Sequence, residues 1–306
     1  MKLTTLLLLL ASGAAFAATE ENINKTFPAL PGGKLVVHVD FGSIDVSTNS
    51  RGGEVTVDVW RNVTRKSKDD EEQFLRGNPV VFQHESNTLT IRSQSKEKKR
   101  WFSGWRNRIE AKYTIRVPAQ FNTKLDTSGG GIAVSDLTGE VNADSSGGGI
   151  QVTDCEGTIK VNTSGGGIDV AGGGGSLEAD CSGGRIAVKT FNGPVSVATS
   201  GGGVTINSVR GKVKGETSGG SINVVLLSPV PGDIWLSTSG GGVTVNLPGD
   251  AAFNLNAETS GGGVSCELPV TIEGKKERNE LKGAVNGGGP TLRLESSGGG
   301  IHVNKL

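Results

Sequence analysis

From residue 130 onward, the apolar positions of this chain recur with a fixed period. Ile132, Val141, Ile150, Ile159, Ile168, Leu177, Ile186, Val195, Val204, Val213 and Ile222 follow one another at intervals of nine residues. Two residues after most of them comes a second apolar or small side chain, as at Val134, Ala143, Val152, Val161, Val170, Ala179, Val188, Val197 and Ile206. Spacing of i and i+2 puts both side chains on one face of an extended strand. Two residues before each apolar position stands a glycine, in the series Gly130, Gly139, Gly148, Gly157, Gly166, Gly175, Gly184 and Gly193. Glycine permits positive φ or a close backbone approach, and a tight corner between strands needs one or the other. Each nine-residue unit therefore predicts a corner followed by a short strand.

Alternate units carry the stronger signal. Ser-Gly-Gly-Gly-Ile/Val, or a close variant, begins at Ser128, Ser146, Ser164, Ser182, Ser200 and Ser218, each 18 residues after the last. It returns at Ser239, Ser260 and Ser297, after steps of 21, 21 and 37. A strand of this length cannot bury its apolar face alone. Stacked about 4.8 Å apart, such strands hydrogen-bond to their neighbours and share one core. The expected fold is all-β: a single-stranded parallel β-helix or β-solenoid, taken as right-handed, with 18 residues per coil built from nine-residue half-repeats.

The N-terminal third repeats the pattern less regularly, at Gly33-x-Leu35-x-Val37, Gly42-x-Ile44-x-Val46 and Gly53-x-Val55-x-Val57. Three insertions interrupt it. The first, residues 61–79, contains Asp69-Asp70-Glu71-Glu72-Gln73-Phe74-Leu75-Arg76-Gly77, with acids in front and Arg and Gly behind, a short helix by its charge order. The second is the basic, aromatic stretch 96–108, and the third, residues 269–290, is polar and expected to loop out. The expected organisation is a leader at 1–17, an irregular solenoid part at 18–122, and a regular one at 123–306.

The leader reading comes from Lys2, the apolar run Leu6 to Leu10, and the A-x-A site Ala15-Phe16-Ala17, the three parts of a secretory signal peptide. The run is shorter than the roughly 18 apolar residues of a membrane span. No later segment is apolar enough to serve as a transmembrane segment. An exported protein, periplasmic or at the cell surface, is expected. Glycine makes up 49 of 306 residues, and only its strict placement separates this chain from low-complexity disorder. The formal net charge is zero, which gives no general reason to expect nucleic acid as a partner.

Candidate chemistry is sparse. A row of acids stands two residues before the motif serine: Asp126, Asp144, Asp180, Glu216, Glu258 and Glu295, interrupted by Asn162, Ala198 and Ser237. It lacks the ligand spacing of calcium-binding nonapeptide rolls and reads as an outward, solvated row. His38, His84 and His302 fall in different coils without metal-like spacing, so no metal and no cofactor is expected. Cys155, Cys181 and Cys266 are an odd count. Cys181 takes a Thr/Ser place before the motif serine, and Cys266 an inward Val place. No nucleophile–histidine–acid set can be placed. The one segment with a partner-binding composition contains Lys98, Lys99, Arg100, Trp101, Trp105 and Arg106. Aromatics among Arg and Lys suit an envelope glycan, an anionic membrane surface or an envelope protein. Alternatively, Trp101 and Trp105 fold back and cover an open edge of the solenoid.

Several motifs together carry a resemblance. Pro31-Gly32-Gly33-Lys34-Leu35 and Gly42-Ser43-Ile44-x-Val46 open the mature chain. Tyr113-x-Ile115-x-Val117-Pro118 leads into the repeats, and Leu268-Pro269-Val270 precedes the last one. In these the chain resembles the bacterial "putative adhesin" family, a group without established activity. The resemblance covers the whole mature chain and implies a parallel β-helix, with no functional residue to transfer. The expected function is a non-enzymatic exported scaffold or adhesin-like binding protein. The alternative is a polysaccharide-active enzyme, because parallel β-helices also carry such chemistry.

Overall fold

The computed structural model describes residues 18–49, 52–94, 108–272 and 277–306. The N-terminal elements are β1 (Thr19–Pro28), β2 (Gly33–Val39), β3 (Ser43–Thr48), β4 (Glu54–Thr64), α1 (Lys68–Gly77), β5 (Val81–Glu85), β6 (Thr88–Ser93) and β7 (Arg108–Val117). The first half of the regular part holds β8 (Phe121–Thr127), β9 (Ile132–Ser135), β10 (Val141–Ser145), β11 (Ile150–Thr153), β12 (Glu156–Thr163), β13 (Ile168–Ala171) and β14 (Gly174–Cys181). The second half holds β15 (Ile186–Lys189), β16 (Val195–Thr199), β17 (Val204–Asn207), β18 (Val213–Thr217), β19 (Ile222–Val225), β20 (Ile234–Thr238) and β21 (Val243–Leu247). The C-terminal end adds β22 (Phe253–Thr259), β23 (Val264–Cys266), β24 (Val270–Ile272), β25 (Glu280–Val285), β26 (Thr291–Ser296) and β27 (Ile301–Lys305).

These strands make two long, largely parallel sheets, consistent with a β-solenoid. Sheet I runs β1-β4-β7-β3-β9-β11-β13-β15-β17-β19-β21-β27-β23, and sheet II runs β24-β25-β22-β26-β20-β18-β16-β14-β12-β10-β8-β2-β6-β5. Each rung of the stack is one strand from each sheet. The nine-residue comb forms the contact between the sheets. Ile132 pairs with Ile150, Ile150 with Ile168, and Ile168 with Ile186 in sheet I, while Val141 pairs with Ile159 in sheet II. All are buried in one continuous core. Burying each Ile or Val contributes about 1.5–3 kcal/mol, so stability accumulates rung by rung.

Two repeated devices make the corners. At the Ser-Gly-Gly corner the glycine two before the apolar residue has no positive φ; it is there because the backbones touch. A Cβ on Gly148 would lie 2.3 Å from the Gly130 carbonyl carbon, and one on Gly166 would lie 2.3 Å from the Gly149 nitrogen. A buried side chain staples the same corner. Ser145 Oγ donates to Gly130 O at 2.8 Å and accepts from its own Gly148 N at 3.0 Å. Thr163, Thr199, Thr217, Thr238 and Ser296 donate in the same way to the glycine carbonyl of the rung before. Cys181 takes a place in this ladder with its thiol, to Gly166 O at 3.0 Å and from Gly184 N at 3.1 Å. That agrees with the Thr/Ser place assigned to it from the sequence.

The other corner puts Asp136, Asp154, Gly172, Thr190 and Ser208 in the left-handed region on five successive rungs, followed on four of them by a second positive φ at Gly139, Gly157, Gly175 and Gly193. Asp, Gly and Ser suit such a site, but the β-branched Thr190 at φ 54° does not.

The ends depart from simple sequential stacking. At the N-terminal end, β2 and β3 lie inside the stack, between β8/β9 and the later β6/β7. Antiparallel β4, β1 and β5 extend the edges beyond them. Helix α1 forms where the charge order placed it, with Ser67 capping the Asp70 amide. Its Glu71 is buried; Thr19 Oγ1 and the Arg65 amide donate to it at 2.6 and 2.9 Å. At the C-terminal end, β26 and β27 sit between β20/β21 and β22/β23. The repeat at Ser297 therefore neighbours that at Ser239, and the repeat at Ser260 is outermost. The polar segment 269–290 does not simply loop out. It contributes β24 and β25, and β25 pairs antiparallel with β22 to close the end of sheet II.

Gly148→Ala is expected to destabilise by about 1–3 kcal/mol, the usual cost of overpacking, because its new methyl meets backbone. Thr190→Asn is expected to stabilise by about 0.5–1 kcal/mol, relieving a left-handed β-branched residue. Urea unfolding followed by circular dichroism measures both. Equal midpoints for the two variants would contradict this account of the corners.

Candidate functional site

The acidic row lines a groove of 860 Å³ along the edge where the sheet II strands turn into the Ser-Gly-Gly corners. The parallel register makes the row continuous across the strands. His38 lies beside Asp126, Asp126 beside Asp144, Asp144 beside Asn162, and Asn162 beside Asp180. Ala198, Glu216 and Ser237 continue it. A second row, the exposed motif serines Ser128, Ser146, Ser164, Ser182, Ser200, Ser218 and Ser239, forms the other lining. Each rung thus supplies one polar group to each side, at a spacing of about 4.8 Å.

The N-terminal end of the groove concentrates charge. His38 Nδ1 lies 2.5 Å from Asp126 Oδ2, and Asn162 Nδ2 donates to Asp144 Oδ1 at 2.8 Å. Burial raises the Asp126 carboxyl above its ordinary value; His38 opposes this, and the neighbouring Asp144 adds to it. Partial burial likewise raises Asp180, with Glu178 contributing. Ionised, these carboxylates are hydrogen-bond acceptors along one wall of the groove.

Two residues earlier on each strand stands a second outward row, which includes Lys124, Lys160, Lys214 and Arg293. Lys160 pairs with Glu178 at 3.1 Å, Lys214 with Glu216 at 3.1 Å, and Arg293 with Glu295 at 2.5 Å. Trp235 stands in this row between Lys214 and Arg293. Its indole is 36% exposed, with the Lys214 ammonium 4.7 Å and the Arg293 guanidinium 6.0 Å from the ring centroid. Beside it lies a hollow of 700 Å³ that Pro194, Lys212 and Asp233 also line. Sequence reasoning missed Trp235. The signal was present, because strand alternation between the inward Ile234 and Leu236 turns this Trp outward.

The other expectations fall as follows. Lys98, Lys99, Arg100, Trp101, Trp105 and Arg106 lie outside the described residues. Their flanks are described: β6 ends at Ser93, Gln94 lines the groove, and β7 starts at Arg108. Ser93 pairs with Val39, and Val39 with Thr127, so Ser93 stands level with the residue that precedes a Ser-Gly-Gly corner. The three histidines are apart: His38 in the groove, His84 against the Phe27 ring, and His302 with its Nδ1 2.8 Å from Ser265 Oγ. Among the described residues, no group of three or more His, Cys, Asp or Glu is arranged to hold a metal ion. Cys155, Cys181 and Cys266 are all free thiols, and burial raises the Cys155 and Cys266 pKa values.

A family model described as Toastrack DUF4097 matches residues 34–304. A structure from Bacteroides fragilis described as a "putative adhesin" is 15% identical, covers 94% of this chain and 97% of its own, and gives a TM-score of 0.37. A "putative adhesin" from Parabacteroides merdae is 12% identical over 92% of this chain and 96% of its own, with a TM-score of 0.49. A "putative lipid binding protein" from Parabacteroides distasonis is 12% identical over 93% and 96%, with a TM-score of 0.27. No curated protein matches the chain.

The groove carboxylates make a pH prediction. A carboxyl whose pKa is raised by folding destabilises the fold when ionised. That penalty is present above the folded pKa and vanishes as pH falls below the ordinary value, 3.8 for Asp180. Asp180→Asn is therefore expected to raise the melting temperature at neutral pH, with the gain shrinking to nothing in acid. A gain independent of pH would mean that the Asp180 charge is not strained.

Proposed function

We propose that this chain, which belongs to the Toastrack DUF4097 family, is a non-enzymatic exported scaffold of the cell envelope that binds an extended partner along one flank. The observation that carries this reading is the groove itself. Along most of its length the lining repeats from rung to rung, with Asn162, Asp180 and Glu216 facing a line of serine hydroxyls. A translational array of acceptors and hydroxyls suits a partner that is itself extended. An envelope glycan, with a hydroxyl to donate at each step, fits the array best. In this reading the basic, aromatic segment Lys98, Lys99, Arg100, Trp101, Trp105 and Arg106 supplies charge and aromatic contact for anionic groups of that partner or of a membrane surface. In this proposal residues 1–17 are the leader, 18–122 and 123–306 are the irregular and regular parts of one solenoid, and each coil is right-handed with 18 residues.

One observation favours a second reading, a polysaccharide-active enzyme. His38, Asp126 and Asp144 gather at one end of the groove, and the raised pKa of Asp126 suits a general acid.

Sedimentation with isolated envelope fractions tests the scaffold, and release of soluble sugar from those fractions tests the enzyme. Asp144→Asn with Glu216→Gln, and separately Lys99→Ser with Arg100→Ser, are expected to weaken binding about tenfold or more. Melting should barely change, as is usual for surface substitutions, about 0.5 kcal/mol or less. Trp101→Ala with Trp105→Ala separates contact from cover: a loss of about 3–5 kcal/mol marks a structural cover. Wild-type binding by both charge variants would sink the scaffold reading. Sugar release that Asp126→Asn abolishes, with binding intact, would put the enzyme in its place.

A further inference from the structure

We propose that the inserted rung, β26 with β27, is an exchangeable element through which two copies of this chain join. The inference is independent of the binding reading above and rests on register. In sheet II, Ile234 and Thr238 of β20 pair with Leu292 and Ser296 of β26. The same two β26 residues pair on their other side with Leu255 and Thr259 of β22. Sheet I repeats the relation, where Ile301 of β27 lies between Val243 and Val264. All four pairings are parallel. The outer rung β22/β23 therefore presents to β20/β21 the same backbone phase and the same inward face as the insert does.

The corner ladder has the same property. Ser296 donates to Gly241 O at 2.8 Å, and Thr259 to Gly299 O at 2.6 Å. With the insert withdrawn, Thr259 stands where Ser296 stood, facing the same Gly241 carbonyl. The spacing of the repeats agrees. The step from Ser239 to Ser260 is 21 residues, equal to the step before it, so the outer rung follows in phase without the insert. The backbone phase is the same with or without the inserted rung, so the C-terminal segment can leave and re-enter without changing the register of its neighbours.

A tether suited to exchange precedes the insert. Asn286-Gly287-Gly288-Gly289-Pro290 turns the chain from β25 into β26, with φ of 50°, 90° and 81° at its first three residues. Residues 291–306 leave as a unit once the four parallel pairings of β26 and β27 break, and this turn lets them do so without displacing β25. In the equivalent slot of a second copy they remake each parallel pairing and bury Leu292, Leu294, Ile301 and Val303 as before. Mutual exchange of an identical element leaves only the tether altered, which makes it a low-cost route to a dimer. The occupant is a second copy because only residues matching this register and this hydroxyl ladder complete the slot, and the chain carries that segment itself.

The test uses two full-length variants in a Cys266→Ala background, one with Ser237→Cys and one with Glu295→Cys, carrying different tags. Positions 237 and 295 are direct partners across β20 and β26. The variants are mixed at high concentration and treated with a mild thiol oxidant. Exchange holds the two thiols at a millimolar effective concentration, so the covalent heterodimer is expected about tenfold or more above a control mixture of Ser237→Cys with Glu178→Cys. Its yield should rise with protein concentration. A yield at the control level overturns the proposal. If the cysteine variants do not fold by circular dichroism, hydrogen exchange on the unaltered chain decides. Amides of 291–306 are then expected to exchange about tenfold or more faster than those of 234–238 and 253–259, as for a unit that opens locally. Equal protection overturns the proposal.

Discussion

At the Ser-Gly-Gly corner the backbone of one rung lies against the backbone of the next with no room for a Cβ, and the rest of the stack is fitted to that approach. Because the rungs meet there, the strands on either side fall into register, with Ile132, Ile150 and Ile168 in one column and Val141 and Ile159 in the opposing one. The small buried donors that precede each corner exist for the same reason. A glycine carbonyl held against the next rung at a half-buried corner gains a partner, and Ser145, Thr163 or the Cys181 thiol supplies it. The column of buried Val and Ile then provides most of the free energy. The corner decides where that column stands.

Much of this was legible in the sequence, because the constraint repeats. One glycine could mean many things; glycines every nine residues, each two before a Val or Ile, have few explanations besides a corner and a strand. The short helix α1 was readable from its acids and its Gly77. The order of the rungs was not readable. Ser239, Ser260 and Ser297 carry the same motif, and a local period cannot show which copy lies beside which. Long-range pairing decides that, and β25 on the edge of β22 leaves the final strands to enter between existing ones. The left-handed corner at Asp136, Asp154, Thr190 and Ser208 also escaped notice, since no single residue type marks it.

The site was legible as a row and not as a groove. The acids could be picked out by their offset from the motif serine, and they read as a solvated face. Register converted that row into one wall of a trough and set His38, from a coil far earlier in the chain, against Asp126. Trp235 shows the opposite failure. Alternation alone turned it outward, but one aromatic among many repeats drew no attention until Lys214 and Arg293 appeared on either side. A repeat hides its exceptions, and the exceptions are where a repeating surface acquires a position.

The covered ends have a consequence for how such a chain can change over time. Antiparallel β1, β4 and β5 finish both sheets at one end, and β24 and β25 finish sheet II at the other, where sheet I stops on the three-residue strand β23. Exposed parallel edges would invite further molecules to add on. With the ends specialised, the middle is free to vary. Duplication or loss of one 18-residue unit between Ser128 and Ser218 returns the backbone to the same phase and leaves both caps intact. The groove would lengthen or shorten by one rung, about 4.8 Å, with its lining chemistry preserved. The molecule behaves as a ruler whose graduations are gene segments, so its reach can be adjusted without redesigning its surface.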